Sequence, residues 1–326
     1  MHGVFLDADS FSPSDLDWQG LQNSVDTVTV HGHTSPAQTA DRISNAEIIF
    51  TNKVQLGQQH FAKATKLQLI IILATGTNNI DLGAAATHGI TVCNNVAYSS
   101  QALIEHTAML ILALMRQLPS YHAAVQRGEW QNHSQFCLLD PPIRQLHGKT
   151  LGIIGYGASG QGVADFARAM GMNIVAWQSS PESDTDTDNT IPPRLPLNTL
   201  LPQCDVLSIH CPLTERTRNL IDYAAIKTMR RDAILINTAR GGIVNEQDLA
   251  RALDERLLGG AGVDVLTEEP PRNGNPLLSC SHPNLIITPH NAWGSREARQ
   301  ALINQSITIV AAFRKAKPIN VVASRC

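Results

Sequence analysis

The stretch "TLGIIGYGASGQG" (150–162) narrows the possible folds more than any other part of the chain. An apolar run of strand length ends in Gly155-x-Gly157-x-x-Gly160, and "VADFARAMG" follows with helical spacing. Each glycine has its own task in a strand–turn–helix unit. Gly155 permits the tight turn, Gly157 lets backbone approach a pyrophosphate, and Gly160 lets the helix pack closely on the strand. The helix N-terminus then presents N–H donors and partial positive charge to phosphates. The three glycines alone are also compatible with a plain glycine-rich turn; the strand before and the helix after point to a dinucleotide. A P-loop does not fit, because Gln161 stands where that motif needs lysine. Nor does "HGKT" (147–150) supply one, since no glycine lies five positions before Gly148.

Short apolar runs alternate with helical patterns on both sides of this unit. Before it come "GVFLDA", "TVTVHG", "AEIIFT", "LQLIIILA" and "GITVCN", separated by segments such as "SPAQTADRISNA". After it come "NIVAW", "DVLSIH", "AILINTA", "GAGVDV" and "NLIITPH". Near-continuous Ile/Val/Leu strands separated by helices predict α/β architecture with two doubly wound parallel sheets, each covered on both faces. Between the two series, "SSQALIEHTAMLILALMRQLPSYHAAVQRGEW" (99–130) reads as one long helical stretch with Ser99 or Ser100 as N-cap. Residues from 295 read as one helix and a tail, and "SSPESDTDTDNTIPPRLP" (179–196) as a polar surface loop. Two such units predict a cleft, with ligands at the carboxyl ends of the parallel strands.

Composition excludes several classes. Charged residues make up 16% of the 326, acids and bases are interspersed, and the net charge is −3, which argues against a nucleic-acid or anionic-membrane partner. The strongest apolar run, "QLIIILA" (68–74), is far shorter than the ~20 residues of a membrane span. "MHGVFLDADS" has no basic region before an apolar stretch, so no signal peptide is expected. The six cysteines, Cys93, Cys137, Cys204, Cys211, Cys280 and Cys326, form no CxxC pair or zinc spacing. They read as reduced thiols of a cytoplasmic protein with no metal site.

The strand after the glycine loop departs from the usual pattern. An acidic residue about twenty positions on accepts hydrogen bonds from the ribose of NAD. Here "NIVAWQSSPES" ends in Trp177, Gln178, Ser179 and Ser180. Gln178 can bond a ribose hydroxyl, but no carboxylate repels a 2′-phosphate. No adjacent arginine attracts one either, because Arg194 lies beyond the loop. NAD and NADP are both left open.

Three further segments carry chemistry. "ILINTARGGIVNEQDL" (234–249) places Arg240 at the carboxyl end of a strand, where its planar fork suits a carboxylate or 2-oxo acid; a surface salt bridge is the alternative. "GGAGVDVLTEEPP" (259–271) gives Asp264 at another strand end, then Glu268, expected in solvent, and Glu269, whose backbone the following proline holds extended. "IITPHNAWGS" (286–295) adds His290. An imidazole paired with a carboxylate has its pKa raised and can deliver a proton near neutral pH. A hydride donor, a cationic clamp and such a proton donor are what reduction of a 2-oxo acid needs.

The ordered set "GIIGYGASGQG", "HCPLTERTRNLI", "INTARGGIVNEQDLARAL", "GAGVDVLTEEP" and "TPHNAW" resembles the D-isomer-specific 2-hydroxyacid dehydrogenases over nearly the whole length. "LATGTNNIDL", "QFCLLDPPIRQLHGKTLGIIGYG" and "EEPPRNGNPLL" are most similar to the glycerate dehydrogenase/hydroxypyruvate reductase branch. The resemblance implies a flavodoxin-like substrate-binding domain of residues 1–101 and 292–326. Inserted into it would be a Rossmann domain of residues 102–291 whose first long helix builds a homodimer. It implies Arg240 as substrate-orienting residue, Glu269 as partner of the acid/base His290, and the amides of Ala74, Thr75, Gly76 and Thr77 as holders of the substrate carboxylate. Cofactor contacts are implied at Thr107, Gly155, Tyr156, Gly157, Ala158, Ser159, Gly160, Gln178, His210, Cys211, Pro212, Thr217, Thr238, Ala239, Asp264, His290 and Ala292. Asp264 takes the part of the residue that meets the nicotinamide carboxamide. "NNVAYSS" (94–100) has no glycine where the family has one near its hinge. The expected reaction is NAD(P)H-dependent reduction of hydroxypyruvate, with glyoxylate as a further substrate. The alternatives are another 2-oxo acid such as phosphohydroxypyruvate, or a non-catalytic nucleotide-sensing protein.

Overall fold

The structure is a computed structural model that describes residues 1–179 and 192–324. It divides into two compact units, Met1–Ser99 with Trp293–Cys326, and Ser100–Ala292.

The first unit holds β1 (His2–Phe5), β2 (Thr27–Val30), β3 (Ile48–Thr51), β4 (Leu69–Ile72) and β5 (Thr91–Asn94). They are parallel and ordered β5-β4-β3-β1-β2, the flavodoxin-like 2-1-3-4-5 winding. β3 and β4 are buried along their whole length, so their side chains alternate between two cores. Ile49, Ile70 and Ile72 face one; Ile48, Phe50, Leu69 and Ile71 face the other. The helix Pro36–Ile43 begins where "SPAQ" predicts, its cap position Ser35 donating its backbone N–H to Gln38 Oε1 at 3.1 Å.

The second unit holds β6 (Thr150–Ile154), β7 (Asn173–Trp177), β8 (Arg194–Leu195), β9 (Val206–Ile209), β10 (Ile234–Asn237), β11 (Gly260–Val263) and β12 (Leu285–Ile287). Their order, β12-β11-β10-β9-β6-β7-β8, is the Rossmann order 3-2-1-4-5-6 with one strand added. Leu151, Ile153, Val206 and Ile234 pack under the helix Ser100–Met115, while Leu207, Ile209 and Leu235 face the opposite core.

Three readings of the sequence need correction. The stretch 99–130 is two helices, Ser100–Met115 and Leu118–Gln126, separated at Gln117, whose φ of 56° lies in the left-handed region and interrupts the ladder. The tail after the helix Arg296–Arg314 forms β13 (Val321–Ala323), antiparallel to β5. Residues 180–191 of the expected polar loop lie outside the described residues, as does Cys326, but its end is β8, in register with β7. Near the expected hinge, Ala97 adopts φ 55° without the freedom of glycine. No helix is long and apolar enough to cross a membrane among the described residues.

Candidate active site

β6 delivers the glycine loop at its carboxyl end. Gly155 has φ +95°, and a Cβ on it would stand 2.5 Å from the backbone N of Cys211. The loop after β6 therefore lies directly against the one after β9, and His210 N donates to Ile154 O at 2.7 Å. A Cβ on Gly160 would meet Gly155 O at 2.3 Å, so the helix Ala158–Ala169 starts hard against the turn. Gly157 behaves differently: nothing stands within 4 Å of its missing Cβ.

The caps sharpen that contrast. Asp81, Asp222, Asn245 and Ser295 each accept a first-turn N–H of their helix through the side chain, an interaction worth about 1 kcal/mol. The helix after the glycine loop has Gly157 at this position and no side-chain cap. Open space beside amides that the chain does not cap fits a dinucleotide pyrophosphate. Tyr156, Ala158 and Ser159 lie on this loop, with Gly157 and Ala158 exposed.

The second cluster is assembled from the ends of β10, β11 and β12. Beyond β10, Asn237 braces the turn, taking an N–H from Ala239 at 3.1 Å and giving one to Arg240 O at 3.0 Å. Arg240 Nη1 donates to Ala239 O at 2.7 Å, and among the described residues no carboxylate pairs with it. A Cβ on Gly241 would lie 2.1 Å from the Leu266 carbonyl carbon. Only glycine lets the arginine loop touch the loop after β11.

In that second loop Leu266 N donates to Glu269 Oε1 at 2.8 Å, which fixes the carboxylate. Its other oxygen takes His290 Nδ1 at 2.5 Å, the two side chains being 30% and 24% exposed. His290 itself has φ 51°, a sparsely populated region that must be held by its surroundings. Asp264 supplies the hold. Its backbone O accepts from His290 N at 2.8 Å, and its buried carboxylate accepts from Thr288 Oγ1 at 2.6 Å, Asn291 N at 3.0 Å and Ala292 N at 3.0 Å. His106 Nε2 meets Thr288 Oγ1 at 3.0 Å from the other side. Sequence reasoning missed Thr288 and His106 in this bracing; their places within "TPH" and "EHT" were the available signal.

The remaining expected contacts fall into two groups. Thr107 and Thr238 are buried and share a hydrogen bond of 3.0 Å, while Thr217 Oγ1 donates to Pro212 O at 2.7 Å and braces its own loop. Ser208 Oγ and His210 Nε2 are 2.8 Å apart, and burial lowers the His210 pKa to about 4, so this ring is neutral. Burial likewise pushes the Cys93 and Cys211 thiols up to about 11 and that of Cys204 to about 12. In the other unit, Ala74–Thr77 follow β4, their carbonyls held by Asn95 N at 3.1 Å on Ala74 and Asn94 Nδ2 at 2.7 Å on Thr75. Among the described residues no group of three His, Cys, Asp or Glu side chains is placed to hold a metal.

Residues 108–292 match the sequence profile "D-isomer specific 2-hydroxyacid dehydrogenase, NAD binding domain". A glycerate dehydrogenase of Methylorubrum extorquens is 43% identical over 288 residues, covering 88% of this chain and 89% of its own. A hydroxypyruvate reductase of Blautia hydrogenotrophica is 34% identical over 322 residues, 98% of each chain. The crystal structure of D-lactate dehydrogenase from Aquifex aeolicus, complexed with NAD and lactic acid, superposes with a TM-score of 0.84. That match covers 99% of this chain and 100% of the other at 26% identity.

Proposed function

We propose, because this chain belongs to the D-isomer-specific 2-hydroxyacid dehydrogenase family, that its substrate is hydroxypyruvate, reduced reversibly to D-glycerate, with glyoxylate reduced to glycolate as a second reaction. As a member it is an oxidoreductase with an NAD-binding domain. The observation that carries the reading is the Glu269–His290 pair, with the Arg240 loop held against the Glu269 loop through Gly241. The names of the two curated relatives described above favour hydroxypyruvate within the family.

A bound reduced nicotinamide supplies the hydride, which ends on the substrate C2. His290 gives its proton to the carbonyl oxygen. With Nδ1 on Glu269, Nε2 is the nitrogen that serves the substrate, and the Glu269 carboxylate steadies the imidazolium before transfer. Arg240 binds the substrate through its planar fork and draws charge toward the carbonyl oxygen. The amides of Ala74–Thr77 take the substrate carboxylate, and the unit of 1–99 with 293–326 serves as the substrate-binding domain. A homodimer joins this reading: Leu118, Trp130, Phe136 and Leu139 are 59%, 53%, 89% and 72% exposed, apolar side chains of one segment that a second copy would cover.

Initial rates of NADH and NADPH oxidation with hydroxypyruvate, glyoxylate, pyruvate and phosphohydroxypyruvate test the substrate. Hydroxypyruvate is expected to have the highest kcat/KM. A clear preference for another acid, or no turnover despite dinucleotide binding, would overturn it.

A further inference from the structure

The end of β7 is the place where a Rossmann domain reads the adenosine ribose, and here it carries Trp177 and Gln178 in place of a carboxylate. What the structure adds is β8. Gln178 N donates to Leu195 O at 2.8 Å, and Arg194 stands in register with Ala176. The sequence placed this arginine beyond a loop; the sheet returns it to the strand next to the missing acid.

Its guanidinium has a defined seat. Arg194 Cζ lies 5.6 Å from the centre of the Tyr156 ring, and Tyr156 sits between the first two glycines of the phosphate loop. The same phenol oxygen accepts from Arg168 Nη2 at 3.0 Å. On the other aromatic ring of this corner, Arg216 Cζ lies 5.8 Å from the centre of Trp177. Three guanidinium groups thus surround two rings at the end of β7. Arg168 is matched by Asp165 at 2.7 Å, whereas among the described residues Arg194 and Arg216 have no carboxylate partner. A cation–π contact uses the charge of a guanidinium and not its N–H donors, and those donors are the groups that bind a phosphate in two-point contact.

We propose that the adenosine corner of the site selects the dinucleotide bearing a 2′-phosphate, NADPH over NADH, and that Arg194 and Arg216 make the selection. The proposal rests on the dinucleotide reading of the glycine loop and is independent of which 2-oxo acid is reduced. Among the described residues, two guanidinium groups with no carboxylate partner lie near the end of β7, where a 2′-phosphate would bring nearly two negative charges, and the residue at the acid's position is the neutral Gln178. NADH has only ribose hydroxyls to offer at this point, and these give the guanidinium groups no opposite charge.

Equilibrium binding to the full chain, followed by calorimetry, tests it without turnover. NADPH is expected to bind at least tenfold more tightly than NADH, and 2′,5′-ADP more tightly than 5′-AMP by a similar factor, the gap narrowing as salt rises. Arg194→Gln and Arg216→Gln are each expected to weaken NADPH about tenfold while changing NADH less than twofold, the gain of a charge-assisted contact made only to the phosphate. Both positions are partly or fully exposed, so the variants are expected to melt with the parent. NADH binding as tightly as NADPH, as it would if a carboxylate from elsewhere in the chain held the ribose hydroxyls, would overturn the proposal. So would variants that weaken both dinucleotides equally. Binding of neither would remove the dinucleotide reading as well. Selective NADPH binding with no reduction of hydroxypyruvate would leave this inference standing and remove the substrate.

Discussion

In the unit of residues 1–99, the carboxyl ends of the strands run into loops fastened by polar groups that are consumed in the fastening. Buried Asp7, beyond β1, accepts N–H groups of Asn52 at 2.9 Å and Lys53 at 2.6 Å, beyond β3. Asn95 binds the Ile72 carbonyl at 2.9 Å. In the unit of residues 100–292 the same device recurs, with Asn237 and Asp264 as the fasteners, but the loops they hold end in Arg240, Glu269 and His290. In the first unit the Asp7 carboxylate is spent inside the frame; in the second the held loops carry Arg240, Glu269 and His290, the residues of the proposed chemistry. The contrast separates two requirements: a fixed frame, supplied in both by buried oxygen acceptors, and side chains of the kind that the proposed chemistry uses. Among the described residues, the second unit adds Arg240, Glu269 and His290 on its fastened loops.

The contrast breaks most sharply at His290. His290→Ala removes the proposed proton donor while leaving Asp264 and the loop frame, so kcat is expected to fall by about 10²- to 10⁴-fold with dinucleotide affinity nearly unchanged. Steady-state rates beside a calorimetric titration check it, and kcat near the parent's would take His290 out of the chemistry. Next in size are the two fasteners. Asp264→Ala strands a hydroxyl and two amides and is expected to cost about 3 kcal/mol; Asp7→Ala strands two amides and costs about 2 kcal/mol. Thermal unfolding measures both. Activity distinguishes them, because only Asp264→Ala frees the strained backbone of His290; equal losses of kcat per degree of Tm would erase the distinction.

The smallest effect is a pH dependence. Burial takes His210 from 6.5 to about 4, so the unfolded chain gains a proton on this ring as pH falls through 6.5 while the folded chain stays neutral. Stability is intact above pH 6.5 and drains away from there down to about 4, by about 1 kcal/mol at pH 5.5. Burial lowers His31, His60 and His282 in the same direction. His210→Gln is expected to flatten part of the fall in Tm between pH 7 and 5; an unchanged slope would mean that this ring is not what the acid reaches.

The sequence made the sheets legible because their strands are buried on both faces, and continuous runs such as "LIII" of β4 have few other homes. The placing of Arg240, Glu269 and His290 beyond strand ends was legible for a related reason: each follows a strand by a few residues, so position in sequence nearly determines position in space. Legibility ended where a conformation has no characteristic residue. Gln117 and Ala97 take left-handed φ without glycine, so neither the helix break nor the bend shows in the letters. β8 is two residues long and is recognisable only from its pairing with β7, which is why Arg194 read as distant. Thr288 looked like the end of an apolar run, and only the structure reveals that its hydroxyl is spent on Asp264.

The core on the Phe50 face of the first sheet contains Phe5, Phe50, Leu69 and Ile71 together with Leu302, Ile303, Ile309 and Val310, and β13 covers the edge of β5. Order of synthesis and order of completion therefore differ. Residues 100–292 leave the ribosome with every strand their sheet needs, while the residues made before them wait, one apolar face uncovered and one strand edge unpaired, until the chain beyond 293 has emerged. During that interval residues 1–99 are the part of this chain most exposed to wrong association.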